Sequence, residues 1–374
     1  MGDKGNAPRR LLPGDPAPWF VAPTEHNPTF HFHTVGGRYL VLAFIGSAGR
    51  DPGRTALRGL LAHRKLFDDD QASLFVVSSD PEDEAAGRLK TVAPGVRCFR
   101  DFDRAVSRLY GAAGEGEGEA RQLVYVIDPG LRVLAIFAVT EPDGIGDKVA
   151  GFLAGLPALP APAPAAFQAP ILIVPNVFEP GFCDRLIALY DAEGGQDSGF
   201  MRERGGKTVP VIDYGHKRRA DHVIQDREIR EQARARINRR VAPEIGKAFQ
   251  FEVTRMERYI VACYDAATGG YFRAHRDNTT RGTAHRRFAV TLNLNTGEYE
   301  GGELRFPEFG TRTYVPPKGA ALVFSCSLLH EVLPIRAGRR FTFLPFLYDD
   351  AAARVREANN AFLGEEVEKY RGET

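Results

Sequence analysis

The stretch 155–170, GLPALPAPAPAAFQAP, constrains this chain more than any other part of it. Proline fixes φ and removes a backbone donor, so alternating Pro and Ala support neither helix nor sheet and read as an extended, semi-rigid spacer. A chain of 374 residues also exceeds the size that one hydrophobic core usually serves. The expected division is therefore a first domain over 1–156, a linker over 157–170, a second domain over 171–350 and a C-terminal helix over 351–374.

Upstream of the spacer, short apolar runs at 39–45, 73–77, 123–127 and 133–139 alternate with helical patterns at 55–67 and 101–110. Alternation of this kind predicts an α/β domain with a central sheet. Downstream, helical stretches at 179–193 and 226–249 come first. Strand-like runs follow at 256–264, 288–294, 302–306, 320–324 and 341–346, separated by Gly/Pro turns. Helices followed by many short strands predict a mainly-β sandwich or jelly roll with supporting helices. The segment 351–370 carries apolar residues at helical spacing, and no repeat of fixed period is visible.

Composition excludes several classes. Lys and Arg number 49 against 48 acidic residues, a net charge of +1 without like-charged blocks, so nothing favours nucleic acid or a membrane surface as partner. The polar start at 1–10 lacks the layout of a signal peptide, and no apolar run approaches the ~18 residues of a span, so a cytoplasmic protein is expected. Cys98, Cys183, Cys263 and Cys326 form no C-x-x-C pair, which argues against a disulfide framework, a structural zinc or a dithiol motif.

The chemistry concentrates in the second half. In GGYFRAHRDNTT, His275 and Asp277 stand two apart, a spacing that on an extended strand turns both side chains to one face. His330, in SCSLLHEVLPI, follows the 320–324 run, where a neighbouring strand could carry it to the first pair. Two histidines and a carboxylate on a β scaffold form the facial triad that leaves open positions on Fe(II). Ten residues past His330, Arg340 heads another strand, where a guanidinium could grip a carboxylate through two parallel hydrogen bonds. Tyr264, ending an earlier strand, could add a second donor. Taken singly, each residue has an ordinary structural use: a lone histidine is usually just packed, and Arg340 could pair with Glu331 or Asp349.

The landmarks IVPNVFEPGFCDRLIALY, YFRAHRDN, LNLNTGEYEGGELRFPEFG, VPPKGAALVF and HEVLPIRAGRRFTF follow one another in an order that resembles the prolyl-4-hydroxylase-type branch of the 2-oxoglutarate/Fe(II)-dependent dioxygenases, over 171–350. The resemblance implies a double-stranded β-helix (jelly-roll) core in which His275, Asp277 and His330 bind iron. It further implies that Arg340 with Tyr264 binds the 2-oxoglutarate C5 carboxylate, that Asn293 or Thr291 adds a polar contact, and that ascorbate is a possible accessory. The reaction it implies is hydroxylation of an amino-acid or peptidyl side chain, coupled to decarboxylation of 2-oxoglutarate to succinate with O2. Arg339 beside Arg340 makes the co-substrate ligand ambiguous, though the ten-residue spacing favours Arg340.

The substrate, a small molecule or a peptide, is less legible. The stretches 201–222 and 278–287 are candidate loops over the site, and their Arg218, Arg219, Arg281, His285 and Arg286 would suit an acidic substrate, or would simply be solvated.

In the first half, LLPGDPAPWF, RYLVLAFIGSAGRDPGR, DFDRAVSRLYGA and LVYVIDPGLRVLAIF resemble a peroxiredoxin of thioredoxin-like fold over 11–156. That family places its peroxidatic cysteine at a helix start corresponding to 52–54, where this chain has Gly53 and no thiol. A non-catalytic domain is expected, with Cys98 inert and the fold's dimerising surface available for a homodimer. The leading reading is thus a two-domain oxygenase. Its rival is an interaction or sensing protein whose oxygenase domain responds to iron, oxygen or 2-oxoglutarate.

Overall fold

The computed structural model describes residues 10–114, 121–164 and 167–371. The expectation for the polar start falls mostly on 1–9, outside the described residues, as do 165–166 of the spacer and 372–374 of the tail. The chain divides into two compact units, 1–163 and 164–374, at a boundary inside the expected spacer.

The first unit is built on a five-stranded sheet in the order Val96–Arg100, Ala72–Ser78, Tyr39–Gly46, Leu123–Ile127, Val133–Ala138. The first three strands run parallel and the last two antiparallel. The side chains of Tyr39–Gly46 and Ala72–Ser78 are buried on both sides, which is why these two runs read as continuously apolar rather than alternating. One face packs against helices Gly53–Ala62 and Ile145–Ala154 through Ala56, Leu60, Ile145 and Val149. The other is filled by an aromatic cluster of Phe20, Phe32, Phe75, Phe99 and Tyr110. Each such side chain contributes roughly 1.5–3 kcal/mol by leaving water.

Gly53 opens the Gly53–Ala62 helix, and a Cβ placed there would run into the carbonyl oxygens of Ile45 and Ser47. No side chain fits without moving backbone. Cys98 is buried in its strand, and burial, then Glu25 and Asp83, push its thiol up to about 12.

In the second unit a nine-stranded sheet faces a five-stranded one. The larger includes Ile260–Asp265, Phe288–Asn293, Ala321–Ser325 and Arg339–Phe343; the smaller contains Tyr271–His275, His330–Val332 and Leu304–Arg305. Alternation decides which side chains go where. Val261, Cys263, Val290, Leu292, Phe341 and Phe343 form one core with Leu186, Ile229, Ile237 and Ile245 of the helices. Tyr264, Ala289, Leu322 and Phe324 instead meet Phe272, Leu304 and Val332 of the smaller sheet. This is the jelly-roll with supporting helices that the sequence predicts.

Several boundaries differ from expectation, each for a local reason. The 226–249 helix is two, Arg227–Arg240 and Ala242–Phe249, because Pro243 cannot continue the hydrogen-bond ladder of the first. The 256–264 strand breaks between Arg255–Glu257 and Ile260–Asp265 at Arg258, whose φ is 66°. The 341–346 run breaks before Pro345 into Arg339–Phe343 and Phe346–Tyr348. The C-terminal helix covers only Asp350–Ala358, followed by a 3-10 turn at Asn359–Phe362. Among the described residues no helix is long and apolar enough to cross a membrane, and all four cysteines are free and buried.

Candidate metal centre and co-substrate pocket

The Tyr271–His275 strand pairs antiparallel with His330–Val332, and His275 and His330 are direct cross-strand partners. The strand ends at His275, so Asp277 lies in the following turn rather than on an extended strand as the two-residue spacing suggested. Its N–H donates to the Cys326 carbonyl at 3.0 Å, and its carboxylate faces both histidines.

One ligand atom from each of His275, Asp277 and His330 lies within 4.8 Å of the others, the one such three-residue cluster of His, Cys, Asp or Glu among the described residues. His275 Nε2 is 3.6 Å from one Asp277 oxygen and His330 Nε2 is 3.4 Å from the other. Each ring is oriented from behind, His275 Nδ1 by the Arg273 carbonyl at 2.8 Å and His330 Nδ1 by the Leu328 carbonyl at 3.0 Å. A backbone acceptor on Nδ1 fixes the tautomer that leaves Nε2 free to ligate. Burial, then His275, pull His330 down to about 4, outweighing the attraction of Asp277. Burial alone would raise Asp277, but His330 and His275 hold its carboxyl well below the usual range. Neutral imidazole and ionised carboxylate are the forms that bind a cation, so the donor set fits a divalent metal.

Arg340 and Arg339 are separated by alternation. Arg339 points outward, half-exposed, and pairs with Asp191 at 2.8 Å. Arg340 is only 2 % exposed and is the cross-strand partner of Tyr264, with its guanidinium carbon 5.4 Å from that ring. Its hydrogen bond goes to Asn293 Oδ1 at 3.1 Å, while its Nε is buried without a partner. Among the described residues no carboxylate pairs with it; Glu331 is taken by Arg305 and Asp349 caps a helix. Next to it, Gly302 at φ 67° makes room: a Cβ there would strike Ile335 and approach the Arg340 Cδ to 3.0 Å.

A cavity of about 770 Å³ opens onto the triad and is lined by Tyr264, Thr291, Leu304, Phe324 and Val332 among others. Asn293, like Arg340, is not on this wall. Its amide donates to Thr296, Tyr299 and the Pro316 carbonyl, so it acts as the holder of Arg340. The Tyr264 hydroxyl accepts from Arg219 at 3.4 Å.

The 201–222 stretch is not a loop throughout. Phe200–Arg204 and Lys207–Val211 form a hairpin, and Lys217–Arg218 and Ala220–Val223 are strands. Arg219, read as a surface cation, has a 5 % exposed side chain held by Asp221 through two bonds of 2.7 and 2.6 Å. Lys217, 4 % exposed, donates to Ser198 and the Gly199 carbonyl. Against the effect of burial, Arg219 and Lys217 hold Asp221 down at about 2. Within 278–287, His285 and Arg286 are likewise committed, both to Glu257. Arg218 donates to backbone carbonyls and Arg281 stacks on Phe362. The basic residues singled out from sequence are therefore largely compensated. Arg258, which lines the cavity, was missed because nothing in MERYI marks a left-handed backbone.

Residues 259–348 match the family model of the 2OG-Fe(II) oxygenase superfamily, and residues 13–136 match that of the AhpC/TSA family. The second unit thus resembles 2-oxoglutarate/Fe(II) oxygenases and the first resembles peroxiredoxins of thioredoxin-like fold. Among solved structures, the chain is similar to a Pseudomonas putida prolyl-4-hydroxylase, at 19 % identity over 48 % of this chain and 93 % of that one, with a TM-score of 0.38. It is also similar to a Trichoplax adhaerens prolyl hydroxylase in complex with a hypoxia inducible factor oxygen degradation domain peptide fragment (18 % identity, 50 % and 87 % covered, TM-score 0.40). A third likeness is to a viral collagen prolyl hydroxylase from Paramecium Bursaria Chlorella virus-1 (17 %, 47 % and 94 %, 0.36). No curated protein matches the chain.

Proposed function

We propose that the chain is an iron(II)- and 2-oxoglutarate-dependent hydroxylase of an amino-acid or peptidyl side chain. In this reading His275, Asp277 and His330 hold the iron, and Arg340 receives the far carboxylate of 2-oxoglutarate with Tyr264 alongside. The observation that carries it is a buried guanidinium without a counter-anion on the larger sheet, while the smaller sheet facing it carries His275 and His330 of a three-donor cluster. An uncompensated buried charge is costly, and an oxo-diacid spanning metal and Arg340 would neutralise it. When bound, iron with 2-oxoglutarate and O2 supplies the oxidising power for C–H hydroxylation, with succinate as co-product.

The chain's own residues do the rest. The Arg273 and Leu328 carbonyls hold the two imidazoles in the ligating tautomer, Asn293 aims Arg340, and Phe324 and Phe272 pack against the histidine rings to exclude water.

Arg340→Met is the test. If Arg340 serves a ligand rather than the fold, the variant keeps or raises the melting temperature of the ligand-free chain, since it removes an unpaired buried charge. The KM for 2-oxoglutarate should rise at least tenfold, on the order of 1.5 kcal/mol for a lost charge-assisted hydrogen bond. A large drop in melting temperature with unchanged KM would assign Arg340 to structure and sink the proposal.

The first unit is read as non-catalytic, since Gly53 occupies the position of the peroxidatic thiol. Gly53→Cys should fail to create thiol-dependent peroxide consumption and should cost about 1–3 kcal/mol by overpacking against Ile45 and Ser47. Peroxide turnover by that variant at unchanged melting temperature would refute the steric argument.

A further inference from the structure

We propose that Arg258 anchors an anionic group, a carboxylate or a phosphate, on the substrate that enters this cavity. The inference rests on the iron and 2-oxoglutarate reading and adds to it the chemical class of the substrate.

Arg258 lies between two strands that fix its neighbours, and its φ of 66° puts an arginine where a glycine would be at ease. Its side chain lines the cavity and stays 28 % exposed. Among the described residues its guanidinium makes no hydrogen bond. The nearest carboxylate, Asp221, is 3.8 Å away and already accepts two bonds from Arg219 and one from Ser198. Five planar donors are therefore available, in the fork that matches a carboxylate or phosphate.

Its position ties it to the metal cluster. Arg258 sits 4.9 Å from the centroid of the Phe346 ring, and Arg286 lies 4.0 Å from the same centroid. Arg286 in turn donates to the Asp277 carbonyl at 3.3 Å. An anion on Arg258 would thus lie two side chains from the cluster.

Charge favours the same occupant. Seven lysines and arginines line the cavity against four carboxylates. Glu257 is shared among His285, Arg286 and Arg356, and Asp221 is taken by Arg219. Burial first, then Arg219 and Arg286, pull Arg258 down to about 10 against the opposing pull of Asp221 and Asp277. Arg340, buried without a carboxylate, does not line this wall, so the co-substrate and the substrate each have their own guanidinium.

The probes are benzoate, phenyl phosphate and neutral benzamide, titrated calorimetrically into the full chain with Fe(II) and saturating 2-oxoglutarate under nitrogen. Wild type should bind at least one of the anions saturably and tenfold or more tighter than benzamide. Arg258→Gln should erase that preference and keep its 2-oxoglutarate affinity, while Arg258→Lys should retain part of it. Preference for benzoate identifies a carboxylate and preference for phenyl phosphate a phosphorylated substrate. Equal binding of anions and benzamide, no saturable binding, or undiminished anion binding by a folded Arg258→Gln would overturn the proposal. So would loss of 2-oxoglutarate affinity in that variant, which would hand Arg258 to the co-substrate. If wild type binds neither Fe(II) nor 2-oxoglutarate, the iron reading fails instead, and the same titration on the metal-free chain still decides Arg258.

Discussion

Asp277→Ala should abolish 2-oxoglutarate turnover, by ~10³-fold or more, while leaving the melting temperature of the metal-free chain within a degree or two of wild type. The carboxylate faces both imidazoles at 3.4–3.6 Å and carries the negative charge of the donor set. Without it two neutral nitrogens remain, and losing the several kcal/mol that a correctly held metal contributes, ~4 kcal/mol or more, corresponds to that factor. Equilibrium Fe(II) binding should fall in parallel. Turnover and Fe(II) affinity both unaltered in Asp277→Ala would mean that the three side chains are merely packed together.

The second large effect concerns stability. Asp221→Asn should cost about 3–5 kcal/mol, because it leaves the Arg219 guanidinium buried without its counter-charge and removes the anion beside Lys217. The pH dependence has a definite sign. Asp221 is depressed to about 2 from an ordinary value of 3.8, so its contribution is fully present above about pH 4 and is lost as pH falls from there through 2. The loss over that window is roughly 2 kcal/mol at 1.36 kcal/mol per unit. Comparing urea midpoints of wild type and variant from pH 7 to pH 2 reads it directly: the gap should be widest at neutral pH and narrow toward the acid end. A gap that does not change with pH would show that the ion pair contributes nothing specific.

The clustering of His275, Asp277 and His330 was legible because its information is local. His275 and Asp277 are close in sequence, His330 begins a strand, and the cross-strand partnering of His275 with His330 follows once both runs are strands of one sheet. Arg340 was separable from Arg339 by the same alternation that sends Phe341 and Phe343 to the helix-facing core. What sequence could not supply was the fate of the other charges. Arg219 reads as a loop cation because its partners, Asp221 and Ser198, are engaged only through strand pairing and a turn. Asn293 read as a ligand contact because its strand is right. Only the structure shows its amide spent on Thr296, Tyr299 and Pro316. Arg258 escaped because its significance lies in a backbone angle. Pro243 and Pro345 mark the breaks in the sequence, but the apolar pattern continues on either side of each and masks them.

In the proposal iron and 2-oxoglutarate act together, the metal on His275, Asp277 and His330 and the far carboxylate on Arg340. The most direct measurement is to bind Fe(II) and 2-oxoglutarate to the full chain under nitrogen, admit air, and quantify succinate. Succinate is expected only when both are present, with none from His330→Ala and none when Fe(II) is replaced by Zn(II). Binding of neither ligand, or binding of both with no succinate above the protein-free control, would contradict the proposal.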